Sequence, residues 1–326
     1  MSELKQDILL ITKQDIHDIE KELVKQLDPY LDIVRDVAGH ILFAGGKRLR
    51  PLLMILCSRL CGYNGDLDKT LSVVFEYLHT ATLLHDDLVD DAKLRRGKPV
   101  AHSLWDNSIV VLTGDFLFAK STSIVSEYGN NKIINILSGI SQKMVQGEIH
   151  QLINKGSMSI SEEEYFDIIR NKTGILIEGA CRVGAILSDA SEEEEKAVSI
   201  YGSRLGMVFQ LTDDMLDYTA DTDSLGKNVG ADLREGKLTL PVIYALKKAN
   251  KEDRLFMEGV ICNKDFSVEE FELFKKILIT YKGIEYTKTL AEKYITEAVS
   301  ALSIFDDSKT KNTLLMLADY FLGRKE

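Results

Sequence analysis

Residues 67–91 read LDKTLSVVFEYLHTATLLHDDLVDD. Leu71, Val74, Phe75, Leu78, Ala81, Thr82, Leu84 and Leu88 recur at i, i+3, i+4 spacing, which places them on one face of a long helix. That apolar face runs straight into His85-Asp86-Asp87-Leu88-Val89-Asp90-Asp91. Working outward, Ile133, Ile136, Leu137, Ile140, Met144 and Val145 repeat the period, as do Leu205, Val208, Phe209, Thr212, Met215 and Leu216. No alternating apolar–polar strand pattern stands out, and Asn64-Gly65 lies between helical patterns, where it reads as a loop. Helix breakers are rare: Pro29, Pro51, Pro99 and Pro241 each mark a boundary.

The expected fold is therefore all-α. The periodicity predicts helices over 15–27, 30–44, 50–62, 68–91, 103–128, 132–154, 161–187, 192–219, 238–249, 267–281, 284–304 and 309–322. The longest loop expected runs over 220–237, rich in Asp, Gly and Lys, and loops of that length are often functional. With no low-complexity linker and no repeat, residues 1–326 are expected to form one large helical domain.

Charge narrows the partners. A net charge of −11 argues against nucleic acid, whose phosphates need a basic face. A negative chain still binds a negative substrate where lysines and arginines cluster, or where metals invert the local sign. Cys57, Cys61, Cys181 and Cys262 lack the spacing of a zinc site and read as small residues in a reducing compartment. The start, MSELKQDILLITKQD, is charged throughout and resembles neither a signal nor a transit peptide. No uninterrupted run of about 18 apolar residues exists, so no membrane span is expected, and the cytoplasm is the expected location.

Asp86 and Asp90 are four apart and share a helix face, and Asp87 and Asp91 do the same on a neighbouring line. Acids this close repel, at a helix end where the macrodipole also disfavours anions. A hard divalent cation is the natural compensation, and Mg²⁺ takes a few carboxylates together with phosphate oxygens. One acidic cluster alone is as well explained as a solvated helix end. The pattern recurs, however, in Gln210-Leu211-Thr212-Asp213-Asp214-Met215-Leu216-Asp217, again closing an apolar helix. Two such clusters facing one another across a helical bundle would hold several metals around one diphosphate. Basic residues accompany them in GGKRLRP (45–51), at Arg95-Arg96-Gly97, at Lys172-Thr173-Gly174, and at Lys227 and Lys237. Singly, each reads as a solvated surface charge; together, their order and spacing matter.

GGKRLRP, HDDLVDDAKLRRG, NKTG, FQLTDDMLD and GKNVGADLREGKLTLP stand in the order and spacing of the trans-isoprenyl diphosphate synthases, or polyprenyl synthetases, which residues 40–245 resemble. HTATLLHDD is most similar to the long-chain, homomeric members, such as octaprenyl diphosphate synthase. The resemblance implies a single helical bundle with a central substrate cavity, the isoprenoid synthase type. It implies that Asp86, Asp87 and Asp90 with Asp213, Asp214 and Asp217 hold three Mg²⁺ ions, for which Mn²⁺ substitutes, on an allylic diphosphate. Arg95, Lys172, Lys227 and Lys237 would contact the same diphosphate. Lys47, Arg50, His79 and Arg96 would hold isopentenyl diphosphate. Thr173 and Gln210 would line the reacting carbons, and a homodimer is the implied assembly.

The implied reaction is the head-to-tail condensation of isopentenyl diphosphate with an allylic diphosphate such as farnesyl or geranylgeranyl diphosphate. Its product length is read from residues before Asp86. Ala81 and Thr82, one turn away, are small and leave the first floor absent, and Leu78 and Phe75 stand on the next turns. A helical turn rises about 5.4 Å, near one isoprene unit, so a product of roughly C30–C50 is expected. The alternatives are a short-chain geranylgeranyl or farnesyl diphosphate synthase, a class I terpene cyclase, a non-catalytic subunit of a heteromeric synthase, or a structural repeat protein. The second aspartate motif argues against the cyclase, two complete motifs against the inactive subunit, and the absence of self-similar units against the repeat protein.

Overall fold

The computed structural model of the chain describes residues 3–95, 97–219, 230–263 and 265–323. Within them the fold is all-α, with one short ribbon besides the helices. It runs α1 (Glu3–Ile11), α2 (Lys13–Gln26), α3 (Asp32–Leu42), α4 (Leu49–Leu60), α5 (Leu67–Val89), α6 (Asn107–Tyr128), α7 (Asn131–Ile153), α8 (Glu162–Ile169), α9 (Ile175–Leu187) and α10 (Glu192–Thr219). Helices Ala231–Arg234, Leu240–Lys248, Lys251–Cys262, Val268–Thr280, Gly283–Ala301 and Lys309–Leu322 follow. Between α5 and α6 lies a two-stranded antiparallel ribbon, β1 (Leu94–Arg95) and β2 (Lys98–Pro99), with Leu94 opposite Pro99. It turns at Gly97, where φ is +73°.

Local chemistry explains most boundaries. Ser161 and Glu164 form a capping box at the start of α8, and Ser267 and Glu270 form another before Val268. Asp106 accepts from the Ser108 amide, so α6 begins at Asn107 rather than at 103, and residues Ala101–Ser103 make a 3₁₀ turn. Among the described residues, two helices longer than one turn fall outside those expected. Glu3–Ile11 precedes the first predicted helix, and Lys251–Cys262 lies between two others. Asn250 caps the latter by accepting from the Asp253 amide, an Asn-x-x-Asp signal present in the sequence. The segment expected as one helix over 161–187 is broken by a π-helical turn at Arg170–Gly174. Within 220–237, residues Ala231–Arg234 are a short helix, while 220–229 lie outside the described residues.

The contacts divide the chain into two compact units: residues 1–141, 176–199 and 304–314, and residues 142–175, 200–303 and 315–326. In the first, α5 carries the core. Phe75, Tyr77, Leu78, Ala81 and Leu84 are buried, and the Tyr77 hydroxyl donates to the Leu23 carbonyl at 2.7 Å. Each large apolar side chain so buried contributes about 1.5–3 kcal/mol. In the second, Tyr218 and Phe266 each stack on Phe271. Gly283 lies so close to Pro241 that a Cβ there would sit 2.2 Å from the Pro241 carbonyl oxygen.

One described helix, α6, is long and apolar enough to cross a membrane by length and composition. Asp115 and Lys120 interrupt its apolar residues, which is why no continuous run is visible in the sequence. Val110, Leu117, Ile124 and Val125 are buried, while Ile109, Val111 and Leu112 remain exposed.

Candidate functional site

The GGKRLRP segment turns where Gly45 and Arg48 adopt left-handed backbone, with φ of +95° and +48°. The turn separates three basic residues. Lys47 is exposed and Arg50 half-buried, whereas Arg48 points inward and is buried. Its Nε donates to Glu20 at 2.5 Å, its Nη1 to Glu76 at 2.8 Å, and its Nη2 to the Leu42 carbonyl. Burial works against the guanidinium charge, but Glu20 and Glu76 outweigh it and hold its pKa above the ordinary value. Arg48 thus anchors the segment that presents Lys47 and Arg50.

The first aspartate motif closes α5. Asp86 and Asp90 lie on its half-buried face, and Asp87 is buried at 2% exposure. Arg95, brought back by β1, forks onto Asp87, with Nε 2.9 and 3.0 Å from the two carboxylate oxygens and Nη2 2.7 Å from Oδ1. Asp91 takes φ +49° and its exposed carboxylate accepts from Lys93 at 2.7 Å. His85 lies against α6, its Nε2 3.0 Å from the Val111 carbonyl, where Gly114 leaves it room. His79 is half-buried nearly two turns below, and the Thr82 hydroxyl donates to its carbonyl at 2.8 Å. Ala81, Leu78 and Phe75 are buried. A methyl on Gly179 would sit 2.1 Å from Ile140 Cδ1 and 3.6 Å from Phe75 Cε1. Arg96 lies outside the described residues.

The second motif closes α10. Gly206 packs on the π turn so tightly that a Cβ there would lie 2.5 Å from Gly174 Cα. This contact sets Thr173 beside Gln210, and the Thr173 hydroxyl donates to Gln210 Oε1 at 3.2 Å. Gln210 Nε2 donates to Asp214 Oδ1 at 2.7 Å, and the buried Tyr165 hydroxyl donates to Asp214 Oδ2 at 2.5 Å. Because Asp214 needs donors, the amide of Gln210 is oriented with its oxygen toward Thr173. Asp217 accepts from the backbone amides of Ala231 and Asp232 at 3.0 and 3.2 Å. Asp213 is half-buried. Lys172 pairs with Glu148, and Lys237 with Glu235. Lys227 lies outside the described residues.

The acids of this second motif are held at a cost. Burial pushes the Asp214 carboxyl up to about 7, against the hydrogen bonds from Tyr165 and Gln210, and Asp213 and Asp217 push the same way. Burial also raises Asp217, and it raises Asp232 beside it well above the ordinary range. A cation here would relieve that repulsion. Among the described residues, no three His, Cys, Asp or Glu side chains converge into a ready-made cage. Mg²⁺ needs none, since it keeps waters and takes phosphate oxygens alongside one or two carboxylates. The donor set, all oxygen and partly exposed, fits that ion.

Sequence reasoning missed Arg48 with its two glutamates, Tyr165 and Glu148. Arg48 looked like one basic residue among three. Tyr165 sits at ordinary helical core spacing and gives no signal. Glu148 had a weak one: it continues the apolar face of α7 that carries Ile140, Met144 and Gly147.

Comparison with known proteins adds an independent line. The profile of the polyprenyl synthetase family matches residues 31–278. The chain is 35% identical over 314 residues to octaprenyl diphosphate synthase of Escherichia coli (strain K12), covering 96% of this chain and 97% of that protein. It is 36% identical over 323 residues to the short chain isoprenyl diphosphate synthase of Methanocaldococcus jannaschii, covering 97% of each. The structure of a polyprenyl synthase from Caulobacter crescentus CB15, complexed with calcium and isoprenyl diphosphate, superposes with a TM-score of 0.91 at 35% identity. That match covers 98% of this chain and 97% of the other.

Proposed function

The chain belongs to the polyprenyl synthetase family and is a prenyltransferase; from that premise we propose that it condenses isopentenyl diphosphate head-to-tail with an allylic diphosphate, giving a long-chain all-trans polyprenyl diphosphate. One observation carries the reading. Each of two DDxxD motifs closes an apolar helix, and in each the second aspartate is buried at 2% exposure and fixed by the protein's own donors. Such clusters are rigid before any ligand binds, which is what charge stabilisation at a leaving diphosphate requires.

In this reading Asp86, Asp87, Asp90, Asp213, Asp214 and Asp217 carry Mg²⁺, directly or through water. Bound there, Mg²⁺ would neutralise the departing diphosphate. Arg95, Lys172, Lys227 and Lys237 bind the allylic diphosphate, and Lys47, Arg50, His79 and Arg96 hold that of isopentenyl diphosphate. As the allylic C1–O bond breaks, the oxygens of Thr173 and Gln210 present dipoles to the developing cation. The double bond of isopentenyl diphosphate attacks it, and the proton then lost goes to the released diphosphate. No protein nucleophile is needed.

The matches to long-chain and short-chain relatives are equally strong in identity, so product length is argued from α5. Ala81 is small, and Phe75 stands two turns below it, which supports a product of roughly C30–C50. The exposed Ile109, Val111 and Leu112 of α6 are proposed to meet a second copy of the chain, making a homodimer. The cysteines are free, which suits a cytoplasmic location.

The test supplies farnesyl and isopentenyl diphosphates with Mg²⁺ and separates the products by chromatography. Polyprenyl diphosphate should form, and excess EDTA should abolish it. Asp86→Ala or Asp213→Ala should lower kcat by at least about a hundredfold, the scale of losing transition-state charge compensation. Full turnover in EDTA, or a normal kcat in either variant, would overturn the metal assignment.

A further inference from the structure

Glu148 is an acid where an apolar residue is expected. Met144 and Gly147, on the same face of α7, are buried, and the Glu148 side chain is only 17% exposed. A carboxylate in such a place is costly unless paired. Its Oε2 meets the Lys172 ammonium, while Oε1 is buried with no hydrogen-bond partner among the described residues. Lys172 itself sits on the π turn at Arg170–Gly174, a widened turn of the kind often found at functional sites. The pairing is built into the backbone as well. A Cβ on Gly147 would lie 2.6 Å from the Lys172 amide nitrogen and 3.0 Å from the Asn171 carbonyl carbon. Only glycine lets α7 come this close, and the residue that follows carries the carboxylate.

We infer that Glu148 is the positioning residue for Lys172: it holds the ammonium in place on the π turn and thereby sets the affinity of the chain for the allylic diphosphate. A lysine is a flexible point charge on a four-carbon stem, and holding it in one place before the ligand arrives removes an ordering cost from binding. A single carboxylate oxygen suffices to hold it, since an ammonium group carries three donors and the carboxylate oxygen takes one. Glu235, the partner of Lys237, is different in kind, since it stands two residues from its lysine and is 40% exposed.

The inference rests on the assignment of Lys172 to the allylic diphosphate, and the test separates the two. Wild type, Glu148→Gln, Glu148→Asp, Lys172→Ala and the Glu148→Gln/Lys172→Ala double variant are compared by steady-state kinetics in both substrates. Binding of inorganic diphosphate with Mg²⁺ is measured alongside by calorimetry. Gln is isosteric and should fold, which a thermal melt checks. E148Q should raise the KM for the allylic substrate about tenfold, leave that for isopentenyl diphosphate unchanged, and weaken inorganic diphosphate binding. E148D, which keeps the charge, should recover part of the loss. In the Lys172→Ala background, E148Q should change nothing further. An unchanged allylic KM, full additivity with Lys172→Ala, or equal effects on both substrates would overturn the proposal alone. So would a lower allylic KM, because Glu148 would then compete with the ligand for the ammonium. A wild-type chain that neither turns over nor binds diphosphate would overturn it together with the function on which it rests.

Discussion

Arg95 and Asp87 form a two-pronged ion pair: Nε and Nη2 of the guanidinium approach the carboxylate at 2.7–3.0 Å, and Asp87 is almost fully buried. The resemblance assigned one to a diphosphate and the other to metal, and the structure joins them. Arg95 remains about one third exposed.

Arg95→Ala should therefore act twice. It leaves a buried carboxylate without donors, which should cost about 1–3 kcal/mol of stability after allowance for the exposed half of the pair. It should also remove the contact proposed between Arg95 and the allylic diphosphate. Urea unfolding measures the first effect and the allylic KM the second. In the Asp87→Asn background the stability loss should largely vanish while the KM effect stays. A stability loss that persisted in full there would show that the fork is not its cause.

Arg48 makes a separate prediction, for stability rather than chemistry. Arg48→Met strands Glu20 and Glu76 and should destabilise the chain by about 3–5 kcal/mol. Adding Glu76→Gln should restore part of that. Denaturant midpoints measure both, and a loss under about 1 kcal/mol would refute the anchoring role.

Product length should respond to Ala81. Tyrosine at that buried position of α5 should shorten the product from roughly C30–C50 to about C15–C20, as chromatography of the chains would show. A wild-type enzyme already stopping near C20 would refute the long-chain reading.

The thiols give a pH prediction. Burial pushes the Cys61 thiol up to about 12, and contact with Cys181, together with burial, raises Cys57 well above its ordinary value. Both should stay protonated and unreactive at pH 8, so a thiol reagent should modify the exposed Cys262 first. A thiol raised in the folded state stabilises it below the unfolded value of about 9. That stability is lost as pH climbs toward about 12, so the melting temperature should fall across this window. Rapid labelling of Cys57 at pH 8 would contradict the burial argument.

What the sequence made legible was whatever recurs. The helical period of α5, α7 and α10 and the paired aspartates at two helix ends are repeated signals, and each was readable without coordinates. Single residues were not. Tyr165 has the spacing of any core aromatic, and only the fold shows its hydroxyl on Asp214. The inward turn of Arg48 depends on a left-handed backbone at a non-glycine residue, for which GGKRLRP gives no sign. The π turn was half-visible, since Lys172-Thr173-Gly174 interrupts the apolar period, but its packing against Gly147 and Gly206 is long-range and was not.

Those two glycines have a consequence for how the protein can diverge. The π turn is wedged between backbones on both sides, with no clearance for even one methyl group at Gly147 or Gly206. A part seated with no play cannot drift gradually. Single changes on α5 are expected to retune the tail that the protein is proposed to build, while the turn proposed to grip the diphosphate head is mechanically locked. Laboratory evolution for new product lengths should accumulate substitutions along α5 and leave those glycines untouched.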